Sequence, residues 1–229
     1  MNVCLCSAFR NAMPYLDRYI DQINKLEDAL IVRGDHLQLI WGEGDSTDGT
    51  LAELHRMAFG ATIVDCTHGG KEFGSVVDSQ RFKQLAYVGN RILGAVPTSA
   101  DAVIWAESDL IWEPSTMLRL IDRTTVYPAI APLCLLRREG YPENAFYDTW
   151  AFRKHGRHFT QFPPYFRGFD FRQGHAYLVD SAGSCLAMKG DIARQVHFTE
   201  DEVFVGLSKQ IYQCGGGVYV DPNCAVYHE

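Results

Sequence analysis

The feature that most constrains the fold of this chain is the alternation of apolar, strand-like runs with amphipathic, helix-like segments over its first half. In Pro14–Leu30, leucine and isoleucine recur at three- and four-residue steps, the spacing of one helix face. Such alternation predicts an α/β fold with parallel strands joined by crossover helices. The predicted strands are Asn2–Ala8, His36–Trp41, Ala61–Asp65 and Ala102–Ala106, and the predicted helices are Pro14–Leu30, Asp48–Ala58, Ser75–Leu93 and Pro114–Asp122.

The second half of the chain is less regular. Its length of 229 residues and its apolar content of 47% fit one enlarged globular domain with a large core. We therefore predict a single domain over residues 1–229, with a regular half at 1–123 and an irregular half at 124–229. The predicted strands of the second half are Val126–Leu136, Ser184–Lys189, Gly217–Val220 and Ala225–Tyr227, and its predicted helix is Thr199–Gln213.

Charge and cysteine usage narrow the class of protein. The net charge of −7 argues against a nucleic-acid-binding surface, which is usually basic. The seven cysteines include no C-x-x-C pair, so we expect buried, reduced thiols and a cytoplasmic location. Cys214, Cys224 and His228 are the alternative, as part of a zinc site. We expect no signal peptide and no membrane span, since no apolar run approaches the roughly 20 residues that cross a bilayer.

Two acids follow the fourth predicted strand directly. Glu107 and Asp109 are two residues apart, and strand side chains alternate, so both carboxylates can point the same way. Paired carboxylates suit a hard divalent cation such as Mg²⁺ or Mn²⁺, which would neutralise a leaving diphosphate. The alternative is a solvated acidic turn at a strand end.

The turn after the second predicted strand also combines acids with small residues. Gly42 and Gly44 would allow a ligand to approach the backbone closely. Glu43 and Asp45 are candidates to accept hydrogen bonds from a nucleobase or a ribose hydroxyl. We expect Asp48 to cap the helix that follows.

Basic residues follow the third predicted strand. Binding loops of open parallel sheets lie at the carboxyl ends of the strands. Arg81 is near the start of the next helix, at that edge, so Arg81 and Lys71 are candidates to bind a diphosphate. Arg91 is near the other end of the helix, where we expect a structural or exposed role.

Three segments, in order along the chain, resemble elements of GT-A glycosyltransferases, including the GT2-like families. One resembles their DDGSTDGT turn, one a helix with R-x-x-x-L-A and R-N features, and one their D-x-D element with Glu107 replacing the first aspartate. The resemblance implies a GT-A fold: a Rossmann-like, mostly parallel sheet flanked by helices, with a smaller irregular acceptor-side region. Residues 1–123 would then bind the nucleotide sugar and residues 124–229 the acceptor. The three segments are GEGDSTDGT (42–50), SQRFKQLAYVGNRIL (79–93) and WAESDLIW (105–112).

The same resemblance implies donor contacts at the ends of the first and fourth strands. We expect Ser7, Phe9, Arg10 and Ser108 to lie against the nucleotide sugar there. A sugar nucleotidyltransferase, a rival with the same architecture, would need a glycine-rich loop after the first strand. The sequence at that position is SAFRN, which contains no glycine.

The second half carries further resemblances. FYDTWAFR (146–153) is similar to a segment of capsule-type mannosyltransferases, and we expect Asp148 and Trp150 to face the acceptor or the sugar. Residues 198–228 resemble the family's E-D helix and its P-x-x-x-V-x-H ending. That implies Asp201, with Glu200, as a candidate catalytic base and His228 as a third metal ligand beside Glu107 and Asp109. Thr199 and Glu202 have the spacing of a capping box, so we expect Glu202 to cap the helix.

Residues 152–172 combine aromatic side chains with basic ones, and this segment carries a local net charge of +4. Aromatic residues interleaved with arginine are typical of single-strand or flipped-base binding. We favour a loop that covers a nucleotide-sugar donor. The alternative is an anionic acceptor such as DNA that carries hydroxymethylated pyrimidines, as in phage-type modification.

The sequence thus predicts a metal-dependent glycosyltransferase, a hexosyltransferase, that needs Mn²⁺ or Mg²⁺. Its donor would be a UDP- or GDP-sugar and its acceptor a glycan or another hydroxyl compound, with DNA as the alternative. A sugar nucleotidyltransferase and a non-catalytic nucleotide- or carbohydrate-binding module are the further rivals.

Overall fold

A mixed sheet of eight strands forms the centre of the computed structural model, which describes residues 1–57, 60–74, 76–172 and 174–229. A separate two-stranded sheet, β6 with β7, lies in the second half. The strands are β1 (Asn2–Phe9), β2 (His36–Glu43), β3 (Thr62–Asp65), β4 (Ala102–Ala106), β5 (Ala129–Leu136), β6 (Arg153–Lys154), β7 (Arg157–His158), β8 (Tyr177–Val179), β9 (Cys185–Lys189) and β10 (Val218–His228). The helices are α1 (Met13–Arg33), α2 (Thr50–Met57), α3 (Ser79–Gly94), α4 (Pro114–Thr124), α5 (Gly190–Ala193) and α6 (Phe204–Gln213).

The strand order of the large sheet is β3-β2-β1-β4-β9-β5-β10-β8. The pairs β1–β2, β1–β4, β2–β3 and β5–β10 are parallel, whereas β9 runs antiparallel to both β4 and β5. Because β9 is antiparallel to both β4 and β5, these two strands run in the same direction. The strand β10 is parallel to β5 and therefore shares that direction. The carboxyl ends of β1, β2, β4 and β10 therefore lie at one edge of the sheet, and one sheet joins both halves of the chain.

The helices cover the sheet with the apolar faces that the sequence predicts. The α1 helix buries Leu16, Ile23 and Leu30 and ends at Gly34, whose φ of 73° is the left-handed conformation that glycine adopts readily. The α3 helix begins after Asp78, whose side chain accepts hydrogen bonds from two backbone N–H groups of the first turn. Gly34 thus sets the end of α1, and Asp78 sets the start of α3.

Several predicted boundaries are confirmed and others are wrong. β4 matches its prediction at both ends, and α4 begins at Pro114 as expected. The two predicted strands at the end of the chain are one strand, β10, with a register shift between Asp221 and Ala225. The short elements β6, β7, β8 and α5 are not recognised from the sequence. The predicted helix ends at Ala58 and Ser75 lie outside the described residues.

The predicted capping box of the last helix is wrong. The α6 helix begins at Phe204, one turn later than expected, and no side chain caps it. Glu202 instead forms an ion pair with Lys209, and the hydroxyl of Thr199 is buried without a partner among the described residues. The Thr199–Val203 backbone pairing makes a tight turn ahead of the helix, and this turn displaces the cap.

All seven cysteine thiols are free, as expected, and five of them are buried. No helix within the described ranges combines the length and the apolar character that a bilayer span requires.

Candidate active site

A cavity of about 460 Å³ lies at the carboxyl ends of β1 and β4, bordered by the end of β10 and the start of α3. We call it the strand-end cavity. Its polar and charged lining side chains include Arg10, His68, Glu72, Arg81, Gln84, Glu107, Ser108, Asp109, Tyr147 and His228. Pockets at this edge of α/β sheets are where such folds bind ligands.

Asp109 and His228, 119 residues apart in sequence, meet in this cavity. Two backbone hydrogen bonds of 2.7 and 2.8 Å join Ile111 to Tyr227 and so bring the end of β10 beside the loop after β4. Nε2 of His228 then lies 3.0 Å from Oδ2 of Asp109. The ring of Tyr147 stacks on the imidazole at a centroid distance of 3.8 Å and an interplanar angle of 10°.

The Asp109–His228 pair fits a divalent cation. Oδ1 of Asp109 and Nδ1 of His228 are buried and have no hydrogen-bond partner in the described structure. Two ligands about 2.1 Å from one ion at right angles are about 3.0 Å apart, which matches the separation of 3.0 Å between Nε2 and Oδ2. In the parts of the chain that the structure describes, no group of three or more His, Cys, Asp or Glu is arranged to hold a metal. The pair could therefore supply two ligands, and a bound substrate the others.

Because no such group forms, the zinc alternative with Cys214, Cys224 and His228 is wrong within the described residues. Cys214 is exposed at the end of α6, and Cys224 is partly buried in β10.

Glu107 lies beside this pair in an environment that disfavours its charge. Burial raises its pKa to about 8, and the nearby carboxylates of Asp109 and Asp148 add to the effect. Ser184 and Arg81 oppose the shift. A cation next to Glu107 would favour the ionised form, so the carboxyl group is placed to respond to a metal.

A second cavity, of about 200 Å³, adjoins the first, and we call it the side cavity. Arg81, Glu107 and Tyr147 line both cavities, while Asp148 and Trp150 line only the side cavity. Asp148 accepts hydrogen bonds from the hydroxyl of Ser184 at 2.8 Å and from the backbone N–H of Ala151 at 3.0 Å. Burial raises the pKa of Asp148 despite these bonds.

The two arginines of the strand-end cavity are placed differently. Arg81, in the first turn of α3, borders both cavities and donates to the carbonyl of Val76 at 3.3 Å. Arg10 donates to the carbonyl of Gly70 at 2.8 Å and so ties the end of β1 to the loop after β3. Phe9 lines the cavity, and its ring packs edge-on against Tyr19.

The turn after β2 is organised by contacts within the protein. Glu43 is buried and accepts from the backbone N–H of Ser46 at 3.2 Å. Asp45 accepts from the backbone N–H groups of His68 and Gly69, both at 3.1 Å, which lowers its pKa. Neither carboxylate borders the strand-end cavity, whereas Gly44 and His68 do. Asp48 accepts from the N–H of Thr50 at 3.0 Å, in the first turn of α2, as predicted.

The glycines of this turn are required by packing, and since Gly44 also borders the strand-end cavity, the approach of a ligand to its backbone stays a prediction. A Cβ atom at Gly44 would lie 2.4 Å from the backbone carbonyl carbon of Cys66. A Cβ atom at Gly42 would lie 2.4 Å from Cδ1 of Ile92. The loop after β3 and the helix α3 therefore pack directly against the backbone of this turn.

Three further predicted donor residues differ in their placement. Ser108 lines the strand-end cavity, with its hydroxyl donating to the carbonyl of Ala8 at 2.7 Å. Ser7 is fully buried, and its hydroxyl bonds the carbonyl of Ala106 at 2.7 Å, so it joins β1 to β4 rather than reaching the cavity. Lys71 is exposed, with its ammonium 4.5 Å from the centre of the Phe73 ring.

The candidate bases Glu200 and Asp201 lie in the turn before α6. Both are exposed, and neither is among the residues that line the two cavities. Val203, in the same turn, does line both cavities. Asp148 is thus the candidate base that the structure brings next to Glu107 and Arg81.

The aromatic side chains of residues 152–172 mostly pack against one another, which corrects the expectation of a base-stacking surface or a donor-covering loop. Phe152, Phe159 and Tyr165 are buried around Phe146, with ring centroids 4.9 to 5.2 Å from it. Residues 152–172 do not line either cavity. The basic residues Arg157, Arg167 and Arg172 are exposed on the outside of this small core.

Sequence reasoning misses several residues of the site, among them His68, Tyr147 and Ser184. Tyr147, which stacks on His228, directly precedes Asp148, so its position in the FYDTWAFR segment was the available signal. Ser184, which contacts both Glu107 and Asp148, carries no local signal. Its placement depends on the pairing of β9 with β4, which brings distant parts of the chain together.

Several solved glycosyltransferase structures are similar to this chain over nearly its whole length. One is the mannosyltransferase PcManGT from Pyrobaculum calidifontis in complex with GDP-Man and Mn²⁺, with a TM-score of 0.61, 17% identity, and coverage of 99% of this chain and 56% of that one. Another is S. aureus TarS 1–349 with UDP-GlcNAc, with a TM-score of 0.60, 13% identity, and coverage of 99% and 58%. A third is glucosyl-3-phosphoglycerate synthase from Mycobacterium tuberculosis with Mn²⁺, UDP and glucosyl-3-phosphoglycerate, with a TM-score of 0.58, 14% identity, and coverage of 99% and 70%.

No protein-family model matches the chain, and no curated protein sequence matches it. The chain spans 56% and 58% of the length of the first two structures above. At identities of 13 to 17%, this likeness is one of fold. The mostly parallel sheet and the flanking helices agree with it. The chain therefore has the GT-A fold of these glycosyltransferases, as the sequence predicts.

Proposed function

We propose that this protein is a metal-dependent glycosyltransferase that moves a sugar from a nucleoside diphosphate sugar to an acceptor hydroxyl. The observation that carries the proposal is the meeting of Asp109 and His228 beside Glu107 and Arg81 in the strand-end cavity. A fold shared with enzymes whose structures contain GDP-Man, UDP-GlcNAc or Mn²⁺ supports it. A UDP-sugar and a GDP-sugar are both retained as donors, and a hexose as the sugar.

The strand-end cavity would hold the donor. Asp109 and His228 would supply two ligands to Mn²⁺ or Mg²⁺, with the carboxyl group of Glu107 beside them, and the cation would stabilise the negative charge of a leaving diphosphate. Arg81, at the start of α3, would contact the diphosphate oxygens, because a guanidinium and a helix N-terminus both favour anions. His68, Arg10 and Phe9 line the part of the cavity that remains for the nucleoside.

The side cavity would hold the acceptor. Asp148 lies there, and its raised pKa makes its carboxylate a stronger base toward an acceptor hydroxyl than an exposed aspartate. Trp150 would provide a flat apolar surface for a sugar ring. Asp201 and Glu200 stay alternative bases, since a movement of the turn before α6 would bring them closer. We propose a glycan or another small hydroxyl compound as the acceptor rather than DNA, because the aromatic rings expected to stack on bases are packed together.

The decisive experiment compares Asp109→Asn with Asp28→Asn, the same change at an exposed position on α1. The release of UDP and GDP from a panel of nucleotide sugars is measured with Mn²⁺, with Mg²⁺ and with EDTA. We expect Asp109→Asn to lower turnover by about 100-fold or more, the effect of removing one electrostatic contact to a developing charge. Asp28→Asn should match the wild type.

A second readout does not depend on turnover. Mn²⁺ binding followed by electron paramagnetic resonance should weaken in Asp109→Asn and in His228→Ala and stay unchanged in Asp28→Asn. Release of nucleoside diphosphate that is equally fast in EDTA would contradict the metal role. Binding of donor without any release would favour the non-catalytic module, and formation of a nucleotide sugar from nucleoside triphosphate would favour the nucleotidyltransferase.

The choice of base needs its own comparison. If Asp148 is the base, Asp148→Asn lowers transfer to an acceptor far more than Asp201→Asn or Glu200→Gln, while donor binding persists in all three. A large loss confined to Asp201→Asn would assign the role to the turn before α6.

The cytoplasm stays the proposed location, since all seven thiols are free.

A further inference from the structure

A third cavity, which we call the α4 groove, lies between the start of α4 and the end of β10 and has a volume of about 470 Å³. It is separate from the strand-end cavity. Tyr227 lines the groove whereas His228 lines the strand-end cavity, as expected for neighbouring residues of one strand. The lining side chains that matter below are Trp112, Ser115, Arg119, Arg137 and Tyr227.

Arg119 is held in the groove by a buried acid. Its Nε and Nη2 donate to the two carboxylate oxygens of Asp221 at 2.8 and 3.2 Å, and Asp221 is 0% exposed. These bonds use two of the three guanidinium nitrogens. Arg123 also reaches Asp221, with an Nε–Oδ2 distance of 3.4 Å. Two arginines thus share one carboxylate, so this cluster keeps a net positive charge.

Arg137, which also lines the groove, provides a second guanidinium. Its planar group lies over the ring of Tyr227, 4.3 Å from the ring centre. Its backbone N–H donates to the carbonyl of His228 at 2.7 Å, which fixes the base of the side chain. The stacked guanidinium is ordered by the ring and keeps its outward donors for a ligand. Glu113 is the acid that lines the groove. Arg119, Arg123 and Arg137 together outnumber the two acids Glu113 and Asp221, so the net charge of the groove and its partners is positive.

Trp112 adds an unpartnered polar group beside the groove. The residue lines the groove and is 2% exposed, and its indole N–H has no acceptor among the described residues. Buried N–H donors in folded proteins almost always have a partner. The N-terminus of α4, an eleven-residue helix, is also at the groove, where Ser115 lies. Helix N-termini attract anions.

From these contacts we infer that the α4 groove binds the phosphate group of a small phosphorylated molecule. Two guanidinium groups, an indole N–H and a helix N-terminus are donors that come from different elements, which suits the several acceptor oxygens of a phosphate. The volume is within the range of small-molecule sites. The site goes beyond the proposed transfer reaction, since it contains none of the residues assigned to donor, metal or acceptor.

The test uses the full chain and inorganic phosphate as the probe, in EDTA so that the proposed metal site is empty. Binding is followed by isothermal titration calorimetry. We expect Arg137→Gln to weaken phosphate binding at least tenfold, and Trp112→Phe, which keeps an aromatic ring and removes the N–H, to weaken it severalfold. Arg138→Gln is the matched control: this neighbouring arginine is exposed and does not line the groove, so its affinity should stay within twofold of the wild type.

A further variant separates the groove from the strand-end cavity. Arg81→Gln removes the proposed phosphate contact of the strand-end cavity, and the phosphate binding that Arg137→Gln weakens should persist in this variant, because Arg81 does not line the groove. Loss of phosphate binding in Arg81→Gln, unchanged binding in Arg137→Gln, or no binding to the wild type would each overturn the inference. Donor turnover in Arg137→Gln is measured in parallel, so that failure of the groove and failure of the proposed transferase activity give different results.

Discussion

Tyr147 illustrates how a residue without a charge can set the geometry of the proposed metal ligands. Its ring is parallel to the imidazole of His228 at 3.8 Å and holds that ring facing Asp109. Side chains that orient a metal ligand commonly change affinity by about 10–100-fold when removed. We therefore expect Tyr147→Ala to weaken Mn²⁺ binding at least tenfold. Tyr147→Phe keeps the stacked ring and should bind Mn²⁺ almost as well as the wild type.

Electron paramagnetic resonance titrations of the two variants provide the comparison. Equal losses in Tyr147→Phe and Tyr147→Ala would mean that the phenol hydroxyl matters and that stacking does not. Equal affinity in all three proteins would remove Tyr147 from the site.

Gly44 lies where two backbones touch. A Cβ atom at this position would be 2.4 Å from a backbone carbonyl carbon of Cys66, and a backbone neighbour cannot rotate away. Gly44→Ala should therefore lower the free energy of unfolding by about 1–3 kcal/mol, the usual cost of overpacking. Gly94→Ala is the control, because a Cβ atom at this position meets nothing within 4 Å. This substitution also lowers the conformational entropy of the unfolded chain.

Urea unfolding of both variants checks this prediction. We expect Gly94→Ala to equal or slightly exceed the wild type in stability. A Gly44→Ala protein as stable as the wild type would show that the loop after β3 can move away from β2 at little cost.

Among the elements, α4 and β10 are joined by an ion pair at Asp221. The carboxylate accepts from Arg119 on α4 and also from the N–H of Asn223 at 2.9 Å, which stabilises the register shift of β10. Removing one partner of a buried ion pair costs about 3–5 kcal/mol. Asp221→Asn should fall at the lower end, about 3 kcal/mol, because Arg119 and Arg123 are about one third exposed. Asp122→Asn, at an exposed ion pair, should cost about 0–1 kcal/mol.

The same pair makes stability depend on pH. Burial by itself would raise the pKa of Asp221, but the hydrogen bonds from Arg119 and Asn223 outweigh it and lower the pKa. An acid with a lowered pKa stabilises the fold above its unfolded pKa of about 3.9 and loses this contribution as the pH falls through its folded pKa. The difference in unfolding free energy between wild type and Asp221→Asn should therefore be constant from pH 7 to 5 and shrink below pH 4. A difference that grows on acidification would contradict the ion pair.

For the whole molecule, thiol accessibility reports on the packing of the sheet. Five of the seven cysteines are buried, and burial raises the pKa of Cys66, for example, to about 11. A thiol reagent reacts with the thiolate, so the buried thiols should react slowly. We expect Cys214, which is exposed, to react first in the native protein, and all seven to react after unfolding. Cys214→Ser should remove the fast phase; a fast phase that persists would mean that another thiol is accessible.

Local pattern was enough for much of the first half. The strand Ala102–Ala106, the start of α4 at Pro114 and the cap at Asp48 all follow from short-range rules, because side-chain alternation, proline geometry and capping involve only a few neighbouring residues. The capping box at Thr199 failed because Val203 adopts a positive φ of 48° and pairs with Thr199 in a tight turn, so that α6 begins only at Phe204.

The sequence by itself determined the α/β class, the GT-A resemblance and the acids that end β4, since these depend on periodicity and on motifs continuous in the chain. Tertiary structure decided which residues share a cavity. His228 meets Asp109 because β10 pairs in parallel with β5 and bridges to Ile111, and Ser184 meets Glu107 because β9 inserts between β4 and β5. Such pairings are set by the burial of whole strands against each other, a long-range energy that no local segment encodes.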